Sequence, residues 1–278
     1  MKTLSKLYTA LIFVFMYAPI AIMIFFSFNS SRSTAKFDGF SLKWYEELFG
    51  DSHVGEALKN TLILAILSSL IATVIGTAAA VGISKMKNKY VKGAITGITN
   101  IPMMNPDIVT GVAMLLLFAS VGALLGIQGR SFITVLIAHV TFNLPYVVLN
   151  VLPKIKQMDK HLPEAARDLG CTPLQSFFKV ELPCIIPGVL SGMLMAFTLS
   201  LDDFIITQFT KGEGFYTLPT YIYSMTKRKV APDMYALSTL IFLVILCLLV
   251  LSNVVQARMD RRRNPKKNPK ARKKGTQH

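Results

Sequence analysis

The chain has 278 residues, 52% of them hydrophobic and only 16% charged, with a positive mean hydropathy. That balance excludes an ordinary water-soluble domain, in which about a quarter of residues are charged. The net charge of +15 is largely a C-terminal effect, since ten basic residues and Asp260 after Ser252 contribute +9. Directly after a membrane-spanning stretch, such a tail is better explained by anionic lipid headgroups and topology locking than by nucleic acid.

A hydrocarbon core about 30 Å thick takes roughly 20 apolar helical residues to cross. Six stretches qualify: 7–28, 58–84, 98–122, 131–152, 184–205 and 234–256. Residues 1–257 therefore read as one all-α integral membrane domain of six spans with a cytoplasmic loop at 153–183, and 258–278 as a basic tail expected to be disordered. The first stretch, "LYTALIFVFMYAPIAIMIFFSF", is longer than the apolar region of a signal peptide and lacks an A-x-A site, so it is expected to be retained. After it, "FSLKWYEELFGD" sets Leu42, Tyr45, Leu48 and Phe49 at helical spacing. It is expected to lie along the membrane surface with Trp44 in the interfacial belt.

Lysine and arginine set the expected orientation. With both termini cytoplasmic, 21 basic residues fall inside and 8 outside, although Lys227, Arg228 and Lys229 count against this arrangement.

The second span carries Ser68, Ala72, Gly76, Ala80 and Ser84 on one stripe, and the fifth carries Gly188, Gly192, Ala196 and Ser200. Small residues every fourth position let helix backbones approach, so both stripes are assigned to packing. Polar groups inside spans are more telling, because an ionised side chain at the bilayer centre costs at least about 2.5–3.5 kcal/mol. In the third span, "NIPMMNPDIVTG" puts Asp107 after Pro102 and Pro106, which should break or kink the helix. In the fourth, His139, Asn143, Tyr146 and Asn150 share a face beside Pro145. In the fifth, Ser191, Met195, Thr198 and Asp202 share a face distinct from the small-residue stripe, with Asp203 and Phe204 following. Three polar faces are what a lined pathway requires, although such groups also satisfy one another between helices.

Between the fourth and fifth spans lies "EAARDLGCTPLQSFFKVELP", residues 164–183. Pro163 and Glu164 suit a first helical turn, and Gly170 suits a helix stop. Thr172 to Gln175 form a capping box with proline at the first helical position, and Leu174, Phe177 and Phe178 give the second short helix an apolar face. The expected product is a compact knob whose phenylalanines are buried by a partner or by lipid.

This stretch resembles the EAA signature of ABC-importer permeases, E-A-A-x3-G-x9-I-x-L-P, through Glu164, Ala165, Ala166, Gly170, Leu182 and Pro183, with Val180 where the family usually has Ile. The resemblance implies a type I ABC-importer permease fold. It also implies that the two short helices, with Leu174, Phe177 and Phe178, dock in a cleft on a cytoplasmic ATPase. Over nearly all the chain except the tail, including "LSLDDFIITQFTKGEGFYTLPTYIYSMTKRKVAPDMYALSTL" at 199–240, the chain further resembles the second permease subunit of spermidine/putrescine importers. That implies a bacterial inner-membrane assembly of two different permeases, two ATPase subunits and a periplasmic polyamine-binding protein.

The residues suit such a cargo, since a polyamine is a flexible chain of ammonium groups. Asp107, Asp202 and Asp203 supply negative charge and Tyr146 and Phe204 supply aromatic faces for cation–π contact, with His139, Asn143 and Thr198 completing the polar lining. No G-x-x-x-x-G-K-[ST] loop is present, so ATP and its Mg are expected on a partner and no cofactor or metal on this chain. Cys171, Cys184 and Cys247 have no metal spacing, and His53, His161 and His278 are isolated. An ion-coupled secondary carrier of organic cations is the rival reading, but it has no use for the cytoplasmic knob; an ABC permease for another cationic substrate is the other alternative. A non-transporting scaffold would leave three membrane carboxylates without a purpose.

Overall fold

The computed structural model describes residues 2–31, 36–126, 130–159, 161–227 and 232–263. Predicted features at Arg228, Lys229 and 264–278 lie outside the described residues. Among the described residues, twelve α-helices follow in chain order: α1 Lys2–Phe26, α2 Lys43–Gly50, α3 Ser52–Lys85, α4 Lys89–Met104, α5 Asp107–Leu125, α6 Phe132–Gln157, α7 Leu162–Asp168, α8 Pro173–Ser176, α9 Leu182–Asp202, α10 Ile205–Thr210, α11 Leu218–Thr226 and α12 Pro232–Arg263. A π-helical turn, Phe177–Glu181, joins α8 to α9.

Among the described residues, five helical stretches are long and apolar enough to cross a membrane: Lys6–Phe26, Ser52–Lys85, Asp107–Leu124, Phe132–Gln157 and Pro173–Asp202. Where a sixth span is expected, the described apolar stretch is the shorter Met234–Cys247, and α12 itself runs on through Arg263, six residues into the segment read as a tail.

The third predicted span begins elsewhere than expected. The sequence places it at 98–122, but the helix is broken at Asn105–Pro106, so that α4 ends before the break and the membrane-length helix starts at Asp107. The physical reason is Pro106, which has no N–H and forces Asn105 into extended backbone at φ −80°, ψ 142°. Pro102, one turn earlier, is accommodated inside α4.

The chain divides into two units, Met1–Asn60 with Tyr216–Leu248, and Thr61–Phe215 with Leu249–His278. In the first, Trp44 is 3% exposed and its indole N–H donates to the Asn29 carbonyl at 2.6 Å, so it belongs to the core and not to an interfacial belt. The reason is the turn after α1, where the Asn29 side chain accepts from the Asp38 N–H and donates to the Lys36 carbonyl, folding the chain back over the indole. Leu48 is buried with Val54, Ala57, Leu218, Leu237 and Ile241, while Leu42 and Phe49 stay exposed.

The second unit is built on α6 packed along α9, with α3 joining through its small-residue stripe. A Cβ added at Gly188 would stand 2.7 Å from the Asn150 carbonyl oxygen, and one at Gly76 would stand 2.8 Å from Val147 Cβ. Glycine at these two positions is what permits the close approach. Ala72, Ala80, Val147, Val151, Ile185 and Ala196 form the core of the contact.

Candidate substrate pathway and coupling knob

The break between α9 and α10 positions the polar groups. Asp203 follows the last residue of α9 in extended backbone, φ −64° and ψ 123°, and the chain re-enters a helix only at Ile205. The two carboxylates at this break therefore leave the backbone in different surroundings. The Asp203 side chain is 9% exposed and accepts at one oxygen from the Ile206 N–H, and at the other from the Thr207 N–H at 2.8 Å and the Thr207 hydroxyl at 2.9 Å. It thus serves the free donors at the start of α10, the favourable place for a carboxylate.

His139 of α6, 2% exposed, extends this group. Its Nε2 lies 2.8 Å from Thr207 Oγ1 and 3.3 Å from Asp203 Oδ2, and its Nδ1 lies 2.7 Å from Ser200 Oγ, which in turn is 2.9 Å from Ser68 Oγ of α3. Because the Thr207 hydroxyl proton is spent on Asp203, Nε2 is the donor in its contact with Thr207. One chain of hydrogen bonds thereby joins α3, α6, α9 and α10. Its groups are consumed by one another, so the structure sets Asp203 and His139 in an interhelical joint apart from the open carboxylates.

Asp202 and Asp107 are exposed on this chain. They lie on different helices, the last residue of α9 and the first of α5, yet Asp202 stands within electrostatic reach of Asp107. The half-buried Tyr146 of α6 packs with Met114 and Phe118 of α5 and Leu199 of α9 on one core of Ala138, Phe142 and Ile206, which brings the three helices together. Two carboxylates and a phenol ring from three helices thus converge. Phe204 is half-buried at the break. The half-buried Thr198 turns its hydroxyl back to the Leu194 carbonyl at 2.9 Å. Asn143 is fully buried, and neither its amide oxygen nor its amide nitrogen has a partner among the described residues.

The knob forms as the local signals require. Pro163 stands in the first turn of α7, and Gly170 adopts φ +86°, the left-handed region that glycine alone enters without strain. There the Gly170 N–H bonds the Arg167 carbonyl at 2.8 Å and the Cys171 N–H the Ala166 carbonyl at 3.0 Å, closing the helix end. The Thr172–Gln175 capping box is present in both directions, at 3.3 and 3.1 Å. Ala166 is buried and the Ser176 hydroxyl donates to the Pro163 carbonyl, so the two short helices fold onto each other. Leu174 and Phe178 are exposed, at 72% and 61%, and Phe177 meets the Phe178 ring edge-on. Glu164 and Ala165 are exposed, the former 3.3 Å from His161 Nδ1, while Leu182 packs on the α6–α9 core and Pro183 is exposed.

Sequence reading missed Ser68, Ser200 and Thr207 as partners of His139 and Asp203. The two serines were hidden inside stripes that also pack, and the one signal for Thr207 was its place four residues after an aspartate at a helix start.

The family model for the inner-membrane component of binding-protein-dependent transport systems matches residues 72–265, which include the polar break and the whole knob. The chain belongs to this family. Among its relatives, the putrescine transport system permease protein PotI of Escherichia coli K12 is 38% identical over 230 residues, covering 82% of each chain. The spermidine/putrescine transport system permease protein PotC of Haemophilus influenzae is 36% identical over 252 residues, covering 91% of this chain and 96% of that one. A bacterial ABC transporter involved in import of the acidic polysaccharide alginate superposes with a TM-score of 0.68 at 18% identity, covering 92% of this chain and 95% of that one. The MetNI methionine ABC transporter does so at 0.59 and 17%, covering 73% of this chain and 94% of that one. The fold is accordingly that of ABC-importer permeases, and the chain is an inner-membrane permease component.

Proposed function

We propose that this permease moves polyamines, spermidine or putrescine, from periplasm to cytoplasm as one half of a heterodimer with a second, homologous permease. Two cytoplasmic ATPase subunits bind ATP and Mg and drive it through the knob, a periplasmic polyamine-binding protein delivers the cargo, and both termini are cytoplasmic. The observation that carries the cargo reading is a pair of exposed carboxylates, Asp107 at the start of α5 and Asp202 at the end of α9, on helices that share one core with Tyr146 of α6. Ammonium groups along a flexible chain are held by carboxylates and by the face of an aromatic ring. The relatives named for putrescine and spermidine transport support the same cargo.

In this reading Asp107 and Asp202 replace part of the water lost by each ammonium group as it enters. Tyr146 offers a sequence-tolerant surface over which the methylene segments slide. Asp203 and His139 hold the α9–α10 break in the shape that presents Asp202. The exposed Leu174 and Phe178 enter the ATPase cleft, where closure of the nucleotide-bound dimer pushes α7 and α8 and, through the π turn, α9.

The experiment is uptake of labelled putrescine and spermidine into proteoliposomes carrying the complete transporter. Uptake that requires ATP and falls in the D107N and D202N variants supports the reading. ATP-driven uptake of either cation that ignores both substitutions overturns the assignment of these carboxylates.

A further inference from the structure

The π turn between the knob and α9 contains a buried acid that the pathway and the docking surface leave unused. Glu181, the last residue of the turn, has a side chain only 6% exposed, and both of its oxygens face one cation, Lys85 Nζ, at 3.2 and 3.1 Å. Lys85 is the last residue of α3, the favourable end for a positive charge. A second lysine, Lys92 from α4, donates to the Ser84 carbonyl at 3.0 Å, so the cytoplasmic end of α3 is held from two sides.

We propose that Glu181 and Lys85 are a positioning pair that locks the π turn, so that displacement of the knob moves α3 and α9 as one body. This rests on the ATP-driven reading given above. A π turn carries one residue more than an α-helical turn, here bonding the Leu182 N–H to the Phe177 carbonyl. It is the natural place for a helix to yield when pushed, and such turns recur at functional joints. The ion pair spans that joint from outside. Anchoring Glu181 to the end of α3 prevents the turn from compressing, and the motion passes on.

The same two helices are joined again at Ser68–Ser200, 17 residues or roughly 25 Å further along α3. Two ties at opposite heights, with the glycine-lined contact to α6 between them, make α3, α6 and α9 a single lever that ends at Asp202 and Asp203.

The test uses the complete transporter in proteoliposomes and reads putrescine imported per ATP hydrolysed, a ratio that the amount of assembled protein does not change. K85E and E181K should each lower the ratio by about fivefold or more, the scale of a typical coupling between sites. The double exchange K85E/E181K should restore most of it. E181Q, which removes the charge without leaving a bare buried carboxylate, guards against variants that fail to assemble and should lower the ratio by a smaller factor. A ratio unchanged in E181Q, or a double exchange as uncoupled as its parents, overturns the positioning role. Absence of ATP-driven uptake in the unsubstituted transporter instead overturns the functional reading on which the role rests.

Discussion

Asp202 and Asp203 are neighbours with opposite employment. One is exposed, and the other is spent on three donors of α10 and on His139. Substitution should separate the two roles. Asp203→Ala strips acceptors from buried donors, each worth about 1–3 kcal/mol when left unsatisfied, so it should lower the thermal unfolding temperature of the detergent-solubilised protein and reduce its recovery. Asp202→Asn should leave that temperature unchanged and slow putrescine uptake by roughly tenfold or more, since a hydrogen bond to a charged group contributes about 1.5–3 kcal/mol. A normal unfolding temperature for Asp203→Ala would contradict the joint. The sequence shows that both carboxylates stand at a span end, but not which one turns inward. That depends on the break at Asp203 and Phe204, where there is neither proline nor glycine to announce it. His139 was legible as one member of a polar face, but its partners come from positions 61 and 68 residues away, beyond the reach of any local pattern.

At the scale of elements, legibility follows how local the cause is. The caps and the turn of the knob were readable because a proline, a capping box and a left-handed glycine act within one helical turn, while the π turn that follows carries no such local signal. The break in the third span was readable at Pro106, but the start of the membrane-length helix was not, because hydropathy runs straight across Asn105–Pro106 whereas the backbone cannot. Gly170→Ala should cost about 1–2 kcal/mol of local stability by forcing a Cβ into the left-handed region, and hydrogen exchange at α7 and α8 should rise accordingly. Phe178→Ala removes an exposed ring that meets Phe177 edge-on, so insertion and unfolding temperature should stay normal while recovery of ATPase subunits with the purified permease falls. Retained ATPase with Phe178→Ala would move the dock elsewhere. Gly188→Val should be poorly tolerated, because its first carbon already meets a carbonyl at 2.7 Å, and overpacking costs about 1–3 kcal/mol or more.

For the whole molecule, family membership and the fold of ABC-importer permeases fix what kind of machine this is a part of. The chain carries membrane helices and an exposed knob, and under the proposed function its work is to receive a push from a partner and convert it into access. Charge distribution and hydropathy made the membrane class legible at once, whereas the division into two units reflects contacts between residues 1–60 and 216–248 that no periodicity reports. Removing residues 264–278 deletes cationic charge but no pathway or knob residue, so uptake should survive largely intact in vesicles containing anionic lipid. The most direct measurement is putrescine uptake by proteoliposomes holding the complete transporter, with ATP supplied to the ATPase side and ion gradients collapsed by ionophores. Uptake that continues under these conditions and stops when ATP is withheld is the predicted result. Uptake that persists without ATP and follows a proton or sodium gradient would contradict the account.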